Sequence, residues 1–244
     1  TFNEKHTLDV GLYTEYFKAH FRGFGFRANG LNPTLFSPGD GAGFIGDNGG
    51  SDVFVDNINA TVLNSGLFSY FGSLDYDYDS KYGFSATLRR DASSRFSSTN
   101  RWGTFYSIAG RWNVSNEDFW GDNNPFDTLK IRASYGTVGN QNVNGGGYFT
   151  GLTLTEDLYG SVGGYGGVQG LAPTVFGISD LKWETTRQTN LGIDFEAVDR
   201  RLRGNIDLYY KDTEDLFQAR NISGAVGTGG YSLFGNFGTM TNKG

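Results

Sequence analysis

Side chains that carry out covalent catalysis are scarce in this sequence of 244 residues. It has two histidines, His6 and His20, and no cysteine, which excludes a disulfide framework, a thiolate zinc site and a cysteine nucleophile. Neither histidine lies in a zinc-protease motif, and no nucleophile elbow is present. A lone histidine near a strand end is more often structural than a ligand. We therefore predict that the protein is not an enzyme.

Two stretches resemble ligand-binding motifs, but only by their spacing. Residues 41–46 (GAGFIG) match the G-x-G-x-x-G pattern of dinucleotide-binding turns. No strand precedes this segment and no helix follows it, so the context that a dinucleotide needs is missing. Asp47 and Asp52 could offer oxygen ligands to Ca²⁺, but they lack the spacing of an EF-hand loop. We predict no cofactor and assign no metal site.

The charged residues argue against a nucleic-acid partner. The net charge is −6, from 20 Lys and Arg against 26 Asp and Glu, whereas a phosphate backbone selects basic surfaces. Asp75, Asp77 and Asp79 alternate along one strand face, where they could line a polar lumen or form a solvated strand end. Segment 89–95 mixes both signs at the end of a strand, which indicates a local ion-pair network.

Alternation of apolar and polar residues dominates the chain and predicts β-strands. Between 68 and 79, Phe, Tyr and Leu occupy most even positions, while Ser and Asp occupy most odd ones. The other strands predicted in this way are 5–16, 21–28, 82–89, 102–114, 129–135, 187–195, 202–211 and 231–240. About nine strands without a long helix predict an all-β protein.

The connections between these strands favour a membrane barrel over a soluble sandwich. Shorter and longer connections alternate along the chain, and the longest spans 137–183. Outer-membrane barrels have short periplasmic turns and long outer loops. Strands such as 102–114 also reach the ~9–11 residues needed to cross a bilayer at a tilt. We therefore predict a sector of an antiparallel, up-and-down transmembrane β-barrel.

Two tryptophans predict the edges of a lipid-facing band. Trp102 and Trp112 share the apolar face of their strand, about 33 Å apart along it. A tilt of ~40° reduces this separation to about 25 Å, the height of the apolar band between the aromatic girdles of a barrel. On that face we expect Ile108 and Ile131 near mid-membrane.

The alternation predicts the opposite orientation for the neighbours of these two isoleucines. Ser107 and Arg132 are one residue away in sequence, and successive side chains point to opposite faces of a strand. Both should face the lumen, where arginine is tolerated.

A series of short motifs follows one another along the chain. They are 76–78 (YDY), 81–82 (KY), 89–96 (RRDASSRF), 102–107 (WGTFYS), 112–117 (WNVSNE), 129–136 (LKIRASYG), 139–140 (GN), 181–186 (LKWETT), 190–195 (NLGIDF), 209–216 (YYKDTEDL), 236–238 (NFG) and 242–244 (NKG). In identity and order they resemble the SusC/RagA family of TonB-dependent outer-membrane transporters, typical of Bacteroidetes. Segments 29–66 and 137–180 carry little of the resemblance, as expected for variable outer loops.

The resemblance implies a 22-stranded barrel with a plugged lumen, in which residues 1–244 are part of one transmembrane domain. It implies import of a glycan or peptide across the bacterial outer membrane, with energy from TonB and a SusD-like surface lipoprotein as partner. Outer-membrane lipid would surround the wall. The plug and the TonB-contacting segment are expected outside this chain, on its N-terminal side.

The long loop 137–183 is the candidate site for a partner or substrate. Aromatic faces stack on sugar rings or pack against a partner, and the aromatic residues proposed for this are Tyr148, Phe149, Tyr159, Tyr165 and Phe176. The alternative is a loop that only covers the barrel mouth. Trp183 is assigned to the barrel rim instead, because it directly precedes a strand.

The sequence is also compatible with two other functions. A passive porin-like or structural outer-membrane barrel would share the wall but would lack a plug. A secreted β-sandwich carbohydrate-binding module would use the same loop aromatics as sugar platforms.

Overall fold

The computed structural model describes residues 3–27, 57–121, 124–143, 151–162, 170–221 and 232–244, and it is nearly all-β there. The strands are β1 (His6–Arg27), β2 (Asn57–Tyr78), β3 (Tyr82–Ser93), β4 (Trp102–Asn113), β5 (Phe126–Asn140), β6 (Leu158–Val162), β7 (Gly170–Val175), β8 (Glu184–Ala197), β9 (Leu202–Asn221) and β10 (Ser232–Lys243). One 3-10 turn covers Val114–Asn116. The prediction of an all-β protein is confirmed.

Eight strands form one sheet in the order β1-β2-β3-β4-β5-β8-β9-β10, and β6 pairs with β7 in a separate two-stranded sheet. The pairings from β2 to β10 are antiparallel. The chain therefore runs up and down through the sheet, as predicted. Within the described residues the sheet is open, with β1 and β10 at its edges. A sandwich is wrong for this part of the chain, because its eight main strands form a single sheet.

Several strand boundaries differ from the prediction. Segments 5–16 and 21–28 belong to the single strand β1, so the predicted turn at 17–20 is wrong. The sequence there, FKAH, contains none of the Gly, Pro, Asn, Asp or Ser residues that favour a turn. β2 and β9 extend into the predicted connections 29–66 and 213–230. The β6–β7 hairpin was not predicted at all.

The connections at the two ends of the sheet differ in length as predicted. Connections 94–101, 141–183 and 222–231 leave one end, which we call the loop end. Connections 79–81, 114–125 and 198–201 leave the other end, which we call the turn end. Connection 114–125 is the exception, because it is longer than both 94–101 and 222–231 at the opposite end.

The chain divides into two compact units. The smaller unit, Lys18–Ser65, contains the last part of β1 and the first part of β2, where His20 Nδ1 lies 2.8 Å from Asn64 Oδ1. The larger unit consists of Thr1–Phe17 and Gly66–Gly244, and the features that follow all lie within it.

One face of the sheet in the larger unit is apolar and exposed. Leu88, Ile108, Leu191 and Leu208 all point to this side, and between 47% and 59% of each residue is accessible. Apolar surface that is both contiguous and exposed marks contact with a membrane or another protein. In the described part of the chain, no helix is long and apolar enough to cross a membrane.

The register refines the predicted positions of the two isoleucines. Ile108 lies mid-strand, opposite Ala86 on β3 and Tyr135 on β5. Ile131 lies on the same face but directly opposite Trp112, close to the turn end. Of the two, only Ile108 is therefore central in the apolar band.

Candidate functional site

Aromatic side chains border the apolar face at the turn end. Tyr78, Tyr82 and Trp112, from three consecutive strands, form what we call the turn-side belt. Their rings stack in sequence, with centroids 6.3 Å apart for the first pair and 6.4 Å for the second. Aromatic residues with a polar tip are typical of membrane–water interfaces. Trp112 thus borders the apolar face at the turn end, a position that supports its predicted role at one edge of a lipid-facing band.

A second group of aromatic side chains borders the same face at the loop end. We call Phe68, Tyr70 and Trp102 the loop-side belt. The Trp102 ring centroid lies 6.1 Å from that of Phe68 and 5.7 Å from that of Tyr70. The Arg90 guanidinium lies over the Trp102 ring, 5.1 Å from its centroid. Trp102 and Trp112 therefore lie in opposite belts on one face, an arrangement that supports the girdle hypothesis.

Two turns at the turn end are joined through the carboxylate of Glu117. It accepts hydrogen bonds from Tyr82 Oη at 2.5 Å and from Trp112 Nε1 at 2.9 Å. Lys81 Nζ lies 3.6 Å from Glu117 and 3.0 Å from Asp118. The hydrogen bond from Tyr82, and then that from Trp112, hold the pKa of the Glu117 carboxyl below its usual value. This carboxylate ties the connection after β4 to the start of β3.

We expect the Glu117 interaction to weaken in acid. A carboxyl whose pKa is depressed by folding stabilises the folded state above its unfolded pKa, and this contribution is lost as the pH falls through the folded pKa. Amide hydrogen exchange in 113–118, corrected for its intrinsic pH dependence, should therefore accelerate as the pH falls below the usual glutamate range. Glu117→Gln should exchange rapidly at every pH.

The matched control for this prediction is Asp118→Asn. The Asp118 side chain is 98% exposed and contacts only Lys81 among the partners described, and a pair this exposed contributes little. Exchange in this variant should follow the wild type across the pH range. A Glu117→Gln protein that kept the wild-type pH profile would contradict the role of the carboxylate.

The opposite face of the sheet is polar and carries ion pairs between strands. Arg132 on β5 forms a two-pronged interaction with Asp194 on β8, at 2.9 and 2.8 Å. Its Nη2 also lies 3.1 Å from Asp207 on β9, and Lys130 Nζ lies 3.4 Å from Asp194. The position of Arg132 on this face agrees with the predicted alternation. Its partners are far away in sequence and depend on the strand register.

The three alternating aspartates have different environments. Asp75 and Asp77 line a groove of about 360 Å³ on the polar face, and Asp77 pairs with Arg111 there. Asp79 belongs to the tight turn after β2, with φ of 52°, and pairs with Lys5 at 3.3 Å. The two predicted settings are thus both present, a polar wall for the first two and a strand end for the third.

The predicted ion-pair network at the end of β3 is confirmed in part. Arg89 lies 2.7 Å from Asp91 and 3.0 Å from Glu15 on β1, all on the polar face. Arg90 points to the apolar face. Arg95 is only 3% exposed and donates to the backbone carbonyl of Gln141 at 2.9 Å. The three arginines of this segment therefore lie in three different environments: on the polar face, on the apolar face and in the buried loop end.

Buried apolar side chains form a small core at the loop end of the polar face. We call this group the loop-base cluster, and its members are Phe96, Phe105, Val143, Ile178, Leu181 and Trp183. The Trp183 ring packs 5.1 Å from Phe96 and 5.5 Å from Phe105, and its Nε1 donates to the Arg101 carbonyl at 3.1 Å. Trp183 lies at the end of the sheet, as assigned, with its side chain buried in this core.

The long connection between β5 and β8 is fixed at both ends. Arg95 Nη1 lies 3.2 Å from Asn142 Oδ1, just after β5, and Asn100 Nδ2 donates to the Asp180 carbonyl at 3.0 Å, before β8. Further along, the Ile178 amide donates to the Leu154 carbonyl at 2.7 Å. The loop thus rises from a packed and hydrogen-bonded base.

The β6–β7 hairpin projects from this base and exposes aromatic and apolar side chains. Tyr159 is 65% exposed, Leu171 78% and Phe176 41%. The Gly177 amide donates to Asp157 Oδ1 at 2.8 Å and so closes the hairpin stem. Two of the five proposed loop aromatics, Tyr159 and Phe176, are therefore accessible to a ligand.

Other candidate residues lie outside the described part of the chain. They are Tyr148, Phe149, Tyr165, Asp47, Asp52 and segment 41–46. Within the residues that the structure describes, no group of three or more His, Cys, Asp or Glu side chains is placed to hold a metal ion.

Comparison with known proteins relates this chain to a family. The family model described as "TonB dependent receptor-like, beta-barrel" matches residues 1–244. TonB-dependent receptor P3 of Formosa agariphila is 41% identical over 178 residues, which are 73% of this chain and 17% of that protein. TonB-dependent receptor SusC of Bacteroides thetaiotaomicron is 35% identical over 195 residues, 79% of this chain and 19% of SusC.

Solved structures agree with these sequence matches. The RagAB peptide transporter superposes with a TM-score of 0.77 at 25% identity, covering all of this chain and 25% of the matched chain. The 'open-open' state of the RagAB peptide importer gives 0.78 with the same coverage. The chain thus spans less than a fifth of the curated relatives' length and a quarter of that of the solved chains.

Proposed function

We propose that this chain is a sector of the wall of an active nutrient importer. The chain belongs to the TonB dependent receptor-like β-barrel family, and its location is the bacterial outer membrane. The observation that carries this proposal is the up-and-down sheet with an apolar, belt-bordered face and an ion-paired polar face. Lipid would cover the first face and the lumen would lie against the second.

In this proposal the complete barrel has 22 strands and a plugged lumen. Residues 1–244 contribute to one transmembrane domain, while the plug and the TonB-contacting segment lie elsewhere in the protein. The ion pairs of Arg132 with Asp194 and Asp207 keep charged side chains matched along the lumen wall. The chemistry is binding and gating, with no covalent step.

A SusD-like surface lipoprotein is the proposed partner, and a glycan or a peptide is the proposed substrate. The likeness to SusC and to the RagAB peptide transporter supports a two-component importer of this kind. The exposed side chains of Tyr159 and Phe176 on the loop support a contact with the partner or the substrate.

The proposal predicts that uptake depends on TonB. Cells that carry the full-length protein should accumulate a labelled pool of oligosaccharides or peptides, and cells without it should not. Deleting TonB should reduce accumulation to the level of cells that lack the protein, because an active importer receives its energy through TonB. Uptake that persisted without TonB would favour the second candidate, a passive pore.

A further inference from the structure

A continuous groove crosses the apolar face from the loop-side belt towards the centre of the band. Near the belt it measures about 560 Å³ and runs between Leu12 on β1 and Leu88 on β3, with Gly72 on β2 beneath them. A second part of about 270 Å³ shares these three residues and continues along Ala86 and Ile108. The groove is thus lined by aliphatic residues together with aromatic and polar ones.

Small residues create this groove. At Gly72, the side chain that would fill it is missing, and a Cβ built there would lie 3.2 Å from Leu12 Cδ2. Ala86 is the next small residue along the same face, opposite Leu74 on β2 and Ile108 on β4. An open groove on an exposed apolar face offers contact area to an apolar ligand.

An exposed cation lies at the loop end of the groove. Arg90 borders it beside Thr104 and Tyr70, with its guanidinium over the Trp102 ring. Within the described residues, no carboxylate is within ion-pair distance of Arg90. Arg187, which also points to the apolar face near the loop end, is ion-paired with Glu214. Arg90 therefore retains its capacity to bind an anion.

We propose that the groove binds one phosphorylated lipid of the outer leaflet, with an acyl chain over Gly72 and a phosphate on Arg90. Long loops mark the outer side of such barrels, so the Arg90 end lies at the level of the outer headgroups. Arginine near a membrane surface directs its guanidinium towards the interface and forms strong, often two-pronged, hydrogen bonds with phosphate. This proposal requires that the chain lies in the outer membrane, but it does not require that the protein imports a substrate.

Native mass spectrometry of the full-length protein, extracted from its own outer membrane in a mild detergent, tests the site. The wild type should retain one phosphorylated lipid. Arg90→Gln should reduce its occupancy about tenfold, because the charged hydrogen bonds to phosphate are lost. Arg187→Gln, the matched loss of an arginine on the same face, should retain the lipid.

A second pair of variants tests the groove without changing charge. Ala86→Leu fills the groove with an apolar side chain that remains compatible with lipid, and it should also reduce occupancy about tenfold. Ala133→Leu, at a small residue of the same face outside the groove, should not. Free inorganic phosphate in excess should leave the lipid bound.

Three outcomes would overturn the proposal. The first is wild-type occupancy in both Arg90→Gln and Ala86→Leu. The second is an equal loss in Arg187→Gln, which would indicate general attraction of anionic lipid. The third is retention of a lipid without phosphate, or displacement of the lipid by inorganic phosphate alone. Either result would show that the acyl chain and the phosphate of one lipid do not bind the groove and Arg90 together.

Discussion

Replacing Ile108 with arginine should destabilise the assembled protein by about 2–4 kcal/mol, the cost of a cation on the lipid face near the bilayer midplane. Ile108 is 48% exposed on the apolar face and lies between the two aromatic belts, opposite Ala86 and Tyr135. From mid-band, an arginine side chain has no short route to either interface. Denaturant unfolding of the protein in lipid vesicles, together with its level in outer membranes, would measure the effect.

The neighbouring residue provides the control. Ser107 points to the polar face and is exposed there, so Ser107→Arg should leave stability and assembly close to the wild type. Ile131→Arg should be intermediate, because Ile131 lies opposite Trp112, and the cost falls to about 0–1 kcal/mol near the interfaces. Equal stability of the Ile108 and Ser107 variants would show that the two faces are wrongly assigned.

The architecture of the sheet could be predicted because one of its faces is apolar and the other is polar. Most residues between 68 and 79 indicate their face by their type, since apolar and polar side chains alternate there. The spacing of Trp102 and Trp112 predicted both borders of the band from one strand, and their positions in opposite belts support this prediction. Strand ends were predicted less well, because pairing with a neighbour extends a strand beyond its alternating part, as in β2 and β9.

The contacts between strands could not be predicted from local patterns. Arg132 meets Asp194 and Asp207 only because the pairings of β5 with β8 and of β8 with β9 set that register. For the same reason, Ile131 lies near the turn end because the register of β4 with β5 sets it opposite Trp112. Local alternation fixes a face, but it does not fix the height of a residue in the membrane.

The resemblance to a family identified important segments without explaining them. Motif 112–117 contains Trp112 and Glu117, which meet at the turn end, and motif 181–186 contains Leu181 and Trp183 of the loop-base cluster. These contacts join residues that the sequence alone gives no reason to pair. The family motifs thus correspond to the ties at both ends of the wall.

Removing the β6–β7 hairpin should leave a protein that assembles but binds its partner or substrate poorly. Replacing 158–175 with a short Gly-Ser turn preserves the stem at Asp157 and Gly177 and the packing of Ile178 in the loop-base cluster. The exposed side chains of Tyr159 and Leu171 are lost. If they anchor a partner, affinity should fall by at least ~30-fold, the loss expected for an interface hot spot of about 2 kcal/mol.

Point variants separate a loss of contacts from a loss of loop shape. Tyr159→Ala removes one exposed aromatic side chain and leaves the hairpin pairing intact, so it should produce part of the loss seen on deletion. Pull-down of a SusD-like lipoprotein and uptake by cells carrying each variant would be measured beside the outer-membrane level. Wild-type binding and uptake after the deletion would mean that the loop only covers the barrel mouth. Reduced binding with a normal membrane level would place recognition on the hairpin, because the wall itself would then be intact.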